Sequence, residues 1–146
     1  MSITTTQALP PTIAAATIAA HNKRLMRAVF DALAAGDPTP YHDHLADDVR
    51  YTVLGTTTWS RIYFGKQTAV DQLLRPLYRA YGGGFTSTAH RIIADGDHVV
   101  VESRGRATTT AGAPYNNTCC QVFRLANQKI LEVTEYCDTA LMAAVL

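Results

Sequence analysis

The last third of the chain, Tyr115 to Thr139, reads Y-N-N-T-C-C-Q-V-F-R-L-A-N-Q-K-I-L-E-V-T-E-Y-C-D-T. Two strand-like runs flank a short polar turn at Ala126-Asn127-Gln128, a pattern that predicts a β-hairpin closing the fold. Side chains alternate across a strand, so each run presents one face to a core and one to the other side. In the second run Leu131, Val133, Glu135 and Cys137 share a face, and Glu132, Thr134, Tyr136 and Asp138 share the other. Glu135 is thus an acid on an otherwise apolar face, the feature of this sequence that most directly suggests chemistry.

The strand expected at 98–109 fixes which face is inward. Its odd positions are Val99, Val101, Ser103, Gly105 and Ala107, while its even positions include Glu102, Arg104 and Arg106. The apolar odd face points in. The run 115–125 is ambiguous alone; with its odd face inward, Asn117, Cys119, Gln121 and Phe123 line the interior.

Upstream the period changes. From Thr12, apolar residues Ile18, Leu25, Met26, Val29 and Leu33 recur at helical spacing until Gly36 and Pro38 stop the helix. A short helix is expected at about 40–46, then a strand from Asp48 to Leu54, a loop or bulge around Trp59, and a short strand from Arg61 to Phe64. A third helix is expected at about 66–80, broken off by Gly82-Gly83-Gly84. Pro76 lies inside it and should kink it, because proline has no N–H to donate. Strands at Phe85–Ala94 and 98–109 are joined by the turn signal Asp95-Gly96-Asp97.

Helices followed by a long antiparallel meander give an α+β fold. The expected architecture is a cone-shaped α+β barrel, a curved antiparallel sheet wrapped around the N-terminal helices. The cone's mouth is a natural small-ligand site. Residues 1–11 read as a flexible arm and 12–146 as one domain, a length adequate for a sizeable core.

Composition excludes some functions. A net charge of +1 with no block of like charge argues against nucleic acid or an anionic membrane surface as partner. No apolar run approaches the ~20 residues of a membrane span. Three cysteines, two of them adjacent, make no disulfide framework, and there is no basic N-terminal region of a signal peptide; a cytoplasmic location is expected. His42, Asp43 and His44 do not share a helix face and read as solvated residues. His21, His90 and His98 have no ligand spacing, and Gly82–Gly84 is no phosphate loop. No metal or other cofactor is expected.

Within the cone, a desolvated Glu135 acquires a raised pKa and becomes a usable proton donor or acceptor near neutral pH. Tyr51 can donate a hydrogen bond, and Asn117 and Gln121 can orient a ligand carbonyl or a water. Trp59, near the mouth, either stacks on a ligand or packs. Cys119 faces the cone with no His on the inward face to activate it, and reads as a small core residue. The other reading of Glu135 is structural, an acid buried against an Arg or backbone donors.

The chain resembles the SnoaL-like and ketosteroid-isomerase-like proteins of the nuclear-transport-factor-like superfamily over nearly its whole length from Ala14. The marks are A-L-A-A-G-D (32–37), L-A-D-D-V-R-Y (45–51), Y-F-G-K-Q-T-A-V (63–70) and F-R-L-A-N-Q-K-I-L-E-V-T-E-Y-C-D (123–138). The resemblance implies the cone fold and pairing of two subunits through the outer sheet face, which here carries Glu102, Arg104, Arg106, Glu132, Thr134 and Tyr136. It does not transfer one activity, because the fold hosts several chemistries and non-catalytic binders. The ketosteroid isomerase groups fall on Val29, Val53 and Gln121, none of which has the required function. Of the limonene epoxide hydrolase groups, the Tyr falls on Tyr51 and one Asp on Glu135; the others fall on Val53, Ser103 and Gly105. The His–Asp pairing of SnoaL-type cyclases has no close match. The resemblance therefore implies a cofactor-independent isomerase, cyclase or hydrolase acting on an apolar, oxygenated molecule, or a non-catalytic ligand-binding dimer. Glu135 and Tyr51 are the expected catalytic residues. Asn117, Gln121, Cys119, Trp59, Ser103 and Val53 are expected to contact the ligand.

Overall fold

A computed structural model describes residues 11–146. The arm expected at 1–11 lies outside the described residues except for Pro11, which begins helix α1 (Pro11–Ala34). Met26, Val29, Phe30 and Leu33 form its buried stripe, whereas Ile18, expected on that stripe, is exposed. The helix ends where Gly36 adopts φ 84°. Asp37 N–H donates to Ala32 O at 2.9 Å and Gly36 N–H to Leu33 O at 3.0 Å, so two terminal carbonyls find partners in a left-handed cap.

Helix α2 (Thr39–His44) has Pro40 in its first turn and buries Tyr41. Strand β1 (Leu45–Val53) follows directly, with Val49, Tyr51 and Val53 inward, and pairs with β2 (Ile62–Phe64). The next helical stretch comprises α3 (Lys66–Ala69), a π-helical turn (Val70–Leu74) and α4 (Arg75–Ala80). That turn answers the proline problem. The Arg75 N–H reaches back five residues to Val70 O, so the wider turn absorbs the hydrogen bond that Pro76 cannot make.

Strands β3 (Thr86–Asp95), β4 (His98–Thr108), β5 (Pro114–Tyr115), β6 (Thr118–Ala126) and β7 (Lys129–Cys137) complete the sheet, and Asp138 caps a C-terminal helix α5 (Thr139–Val145) by accepting from Leu141 N–H at 3.1 Å. The β6–β7 turn places Asn127 and Gln128 at positive φ, 49° and 63°, the geometry that matches the twist of a two-residue hairpin.

The strand order is β2-β1-β7-β6-β4-β3, with β5 on β4. The sheet curls into the expected α+β cone around the helices. It is mixed rather than wholly antiparallel, because β1 and β7 run parallel, with Tyr51 opposite Val133 and Val53 opposite Glu135.

Parity holds on β4, where Val99, Val101, Ser103, Gly105 and Ala107 are all buried. On β6, Gln121, Phe123 and Leu125 are buried and Cys119 half-buried. On β7 it breaks at one point. Arg124 pairs with Glu132 but Leu125 with Ile130, so Leu131 is the extra residue of a bulge. Ile130 is therefore fully buried, and Leu131, expected inward, is only half-buried. Beyond the bulge the expected parity resumes, which keeps Val133 and Glu135 inward. Phe30, Tyr41 and Phe123 meet edge-to-face at 6.1–6.5 Å between α1, α2 and β6.

Candidate functional site

Glu135 lies on β7, between β1 and β6. Val53 is its partner on β1 and Gln121 its partner on β6. This register brings Tyr51, two residues from Val53 on the same face, to the carboxyl group. The Tyr51 hydroxyl donates to Glu135 Oε2 at 3.0 Å, and Gln121 Nε2 donates to the same oxygen at 3.2 Å. Gln121 Nε2 also lies 3.1 Å from the Tyr51 hydroxyl and 3.3 Å from that of Tyr41. The Tyr41 and Tyr51 hydroxyls are 3.0 Å apart. With Tyr51 donating to Glu135, Tyr41 donates to Tyr51, and the chain of donors ends on the carboxyl group.

Among the described residues the opposite oxygen, Oε1, has no hydrogen-bond partner, yet none of their sealed side-chain oxygens or nitrogens lacks one. Oε1 therefore reaches accessible space, and the space Glu135 borders is the cone cavity. No cation of the described residues pairs with Glu135. Burial raises its pKa above the ordinary carboxylate value; hydrogen bonds from Tyr51 and Gln121 oppose this but do not cancel it. Burial also lifts Tyr41 and Tyr51 well above the ordinary phenol value, so both stay neutral donors at any physiological pH.

The cavity holds about 690 Å³ of empty space, including the part open to solvent. Phe30 and Leu33 of α1 and Leu74, Leu77 and Tyr81 of the third helical stretch face Ser103, Gly105, Asn117, Cys119, Gln121 and Glu135 of the sheet. Tyr81 stacks on Phe85 at 4.9 Å and on Tyr115 at 5.3 Å, both at an interplanar angle of 18°. A Cβ at Gly105 would stand 3.0 Å from the Phe85 ring, so glycine here lets that aromatic wall close against the sheet.

Six expected site residues thus come together on the cavity: Glu135, Tyr51, Gln121, Asn117, Cys119 and Ser103. Two do not. Val53 is buried in the core beside Glu135, off the cavity wall. Trp59 packs against the core from the 55–60 loop, where its carbonyl accepts from the Tyr63 hydroxyl at 2.9 Å, and it does not line the cavity. Asn117 faces the cavity but is committed elsewhere. Its Nδ2 donates to the Tyr115 hydroxyl at 2.9 Å and to Asp138 O at 3.1 Å, and its Oδ1 accepts from Asp138 N–H at 3.0 Å. It clamps the end of β7 rather than offering itself to a ligand.

Other cavity residues escaped sequence reasoning. Tyr41 was visible only as the lone large apolar residue of T-P-Y-H-D-H. His42, expected to be solvated, is half-buried on the cavity wall, edge-on to Tyr78 at 6.1 Å. Burial lowers its pKa, which favours the neutral ring. His44 is also half-buried, its Nδ1 2.7 Å from Pro40 O. Among the described residues one group has donor atoms gathered as a metal would need: Cys119, Glu135 and Cys137, all within 4.8 Å of one another.

The sequence of residues 26–133 matches the model of the SnoaL-like domain, and the chain belongs to that family. No curated protein matches it. Its fold is similar to that of Bal32a from a soil-derived mobile gene cassette, at 20% identity and TM-score 0.72, covering 87% of this chain and 95% of that one. It is also similar to a putative SnoaL-like polyketide cyclase from Jannaschia sp. CCS1, at 16% identity and TM-score 0.71, covering 95% and 96%. TerC, co-crystallised with polyporic acid, matches at 16% identity and TM-score 0.70, covering 85% and 96%. At these identities the structural likeness establishes the fold alone.

Proposed function

We propose that this SnoaL-like protein is a cofactor-independent enzyme that moves a proton to or from an apolar, oxygenated small molecule held in the cone, in chemistry of the isomerase, cyclase or hydrolase type. The carrying observation is the free Glu135 Oε1, open to the cavity, on a carboxyl group whose other oxygen is held by Tyr51 and Gln121. Fixing Oε2 orients Oε1, and burial without a cation keeps the group's proton affinity above that of an ordinary carboxylate. Glu135 is the acid–base group. Tyr51, Gln121 and Tyr41 position it, and Ser103 and Cys119 border the ligand. The stacked wall of Phe85, Tyr81 and Tyr115 favours a flat, apolar ligand, in keeping with the co-crystallisation of polyporic acid with TerC.

One observation favours the second reading, a non-catalytic binder. The polar hydrogens of Tyr51 and Gln121 are satisfied within the network, which leaves neither residue free to donate to a developing negative charge. Turnover separates the two. A panel holding an aromatic β-dicarbonyl, an enone with an acidic α-hydrogen and a terpene epoxide is incubated with the wild type and with Glu135→Gln. The enzyme reading expects turnover that drops roughly a hundredfold or more in the variant while ligand affinity persists. Turnover unchanged by the substitution removes Glu135 from the chemistry, and binding without turnover of any panel member supports the binder.

The same proposal includes a homodimer. Ile93, Val100, Val122 and Thr134 lie side by side in register across the outer face of four strands, flanked by exposed Tyr136. Sedimentation equilibrium of the wild type and of Val122→Lys tests this: a dimer that the lysine dissociates is expected.

A further inference from the structure

Cys119 and Cys137 are direct partners across β6 and β7, and Glu135 is two residues from Cys137 on the same face. One donor atom from each falls within 4.8 Å of the other two. All three residues are half-buried, and Cys119 and Glu135 border the cavity. We propose that Cys119, Cys137 and Glu135 form a binding site for one thiophilic divalent cation of the zinc type, with a fourth position open to the cavity.

The donor set carries the choice of ion. Two thiolates and one carboxylate suit a borderline-soft dication and not magnesium or calcium, which prefer oxygen alone. Zinc–sulfur bonds of about 2.3 Å and zinc–oxygen bonds of about 2.0–2.2 Å at tetrahedral angles set the donors roughly 3.5–3.8 Å apart. From separations within 4.8 Å, the three groups therefore need to close by roughly 1.3 Å at most, a side-chain adjustment. The strands already hold both thiols on one side of the sheet.

The supporting shell is already in place. Glu135 Oε2 is held by Tyr51 and Gln121, which leaves Oε1 as the ligating oxygen. Asn117 is locked to Tyr115 and to the backbone of Asp138, the residue that follows Cys137. Metal sites depend on such partners to orient their ligands. Binding forms two metal–sulfur bonds and releases both thiol protons to solvent, with a third from Glu135 when it is protonated, so affinity climbs with pH.

The inference shares its carboxylate with the proposed function but does not depend on turnover. A bound ion engages Glu135 and takes it out of proton transfer, so the cation acts as a reversible block on that chemistry.

The test uses the full chain, reduced and stripped of metal by a chelator, titrated with Co²⁺ and then Zn²⁺. Expected are one equivalent of Co²⁺ with thiolate-to-cobalt charge-transfer absorption and tetrahedral visible bands, both lost on adding one equivalent of Zn²⁺. Zinc should also protect two of the three cysteines from a thiol reagent. Cys137→Ser and Cys119→Ser should each abolish the charge-transfer pattern of the two-thiolate site. Cys120→Ser should keep it, because Cys120 sits opposite Tyr136 on the other face. Glu135→Gln should weaken binding roughly tenfold or more. Absence of the thiolate band at millimolar Co²⁺, or a band that survives Cys137→Ser, overturns the site. If a variant unfolds, the wild-type count of protected thiols decides: two supports the site, and none or one refutes it. A catalytic Glu135 without a cobalt band refutes only this inference. A cobalt band with turnover indifferent to Glu135→Gln refutes only the acid–base reading.

Discussion

Substituting Tyr51 by Phe removes one oxygen atom and three contacts: donation to Glu135 Oε2 at 3.0 Å, the 3.0 Å contact with the Tyr41 hydroxyl, and acceptance from Gln121 Nε2 at 3.1 Å. The first depends on pH. When Glu135 is protonated the lost bond is between neutral groups, about 0.5–1.5 kcal/mol; when it is ionised the bond is to a charge, about 1.5–3 kcal/mol. Loss of the two other contacts, which involve no charge, is common to both conditions and cancels in the comparison. The pH-dependent excess is therefore about 1–1.5 kcal/mol. At roughly 3 °C of Tm per kcal/mol for a chain of this length, Tyr51→Phe should lower Tm by some 3–5 °C more at high pH than at low pH. Thermal melts of wild type and variant at pH 4 and pH 8.5 measure this directly, with no substrate required. An equal loss at both pH values, or a larger one in acid, refutes the hydrogen-bonded carboxylate as described.

Further predictions follow from the same network. The folded-state pKa of Glu135 is raised, so the folded protein holds this proton more tightly than the unfolded chain. Stability is unpenalised below the ordinary carboxylate pKa and falls as pH rises from there through the raised value. Glu135→Gln should therefore raise Tm relative to wild type at pH 8 and not at pH 4; a gain confined to acid contradicts the sign. Asn117→Ala deletes three hydrogen bonds at the end of β7, each worth about 1 kcal/mol, and should cost about 2–4 kcal/mol in denaturant unfolding. Loss of less than ~0.5 kcal/mol would show that Asn117 is not a clamp.

How far the sequence reached depends on how local each cause was. The inward faces of β4 and most of β7 were legible because one side of each strand is buried, and burial writes a period of two into the residues. Glu135 was found by that count and Tyr51 by its place on the predicted first strand, whereas the run that holds Gln121 was ambiguous on its own. Leu131 was misplaced because a bulge shifts parity by one without leaving a sign in the residues. The parallel β1–β7 pairing joins segments about eighty residues apart, so hairpin signals could not show it. Pro76 announced a conflict, but its resolution through a π-helical turn belongs to the backbone of the preceding residues. Trp59 was assigned by its chemistry, and its place was decided by loop packing. Tyr41 entered the site only because α2 packs against α1 and brings its hydroxyl to that of Tyr51, a tertiary event. The Cys119–Cys137 pairing was implicit in the hairpin register, since both cysteines are odd-numbered and inward.

The account turns on the state of one carboxyl group. Incorporating ¹³C-labelled glutamate, assigning the Glu135 carboxyl resonance by comparison with Glu135→Gln, and following its shift with pH measures that group alone. A midpoint clearly above the ordinary Glu value, with exposed glutamates in the same sample titrating normally, is the predicted result. A Glu135 midpoint at or below that ordinary value would contradict the account, because a carboxylate so stabilised is no proton carrier near neutral pH.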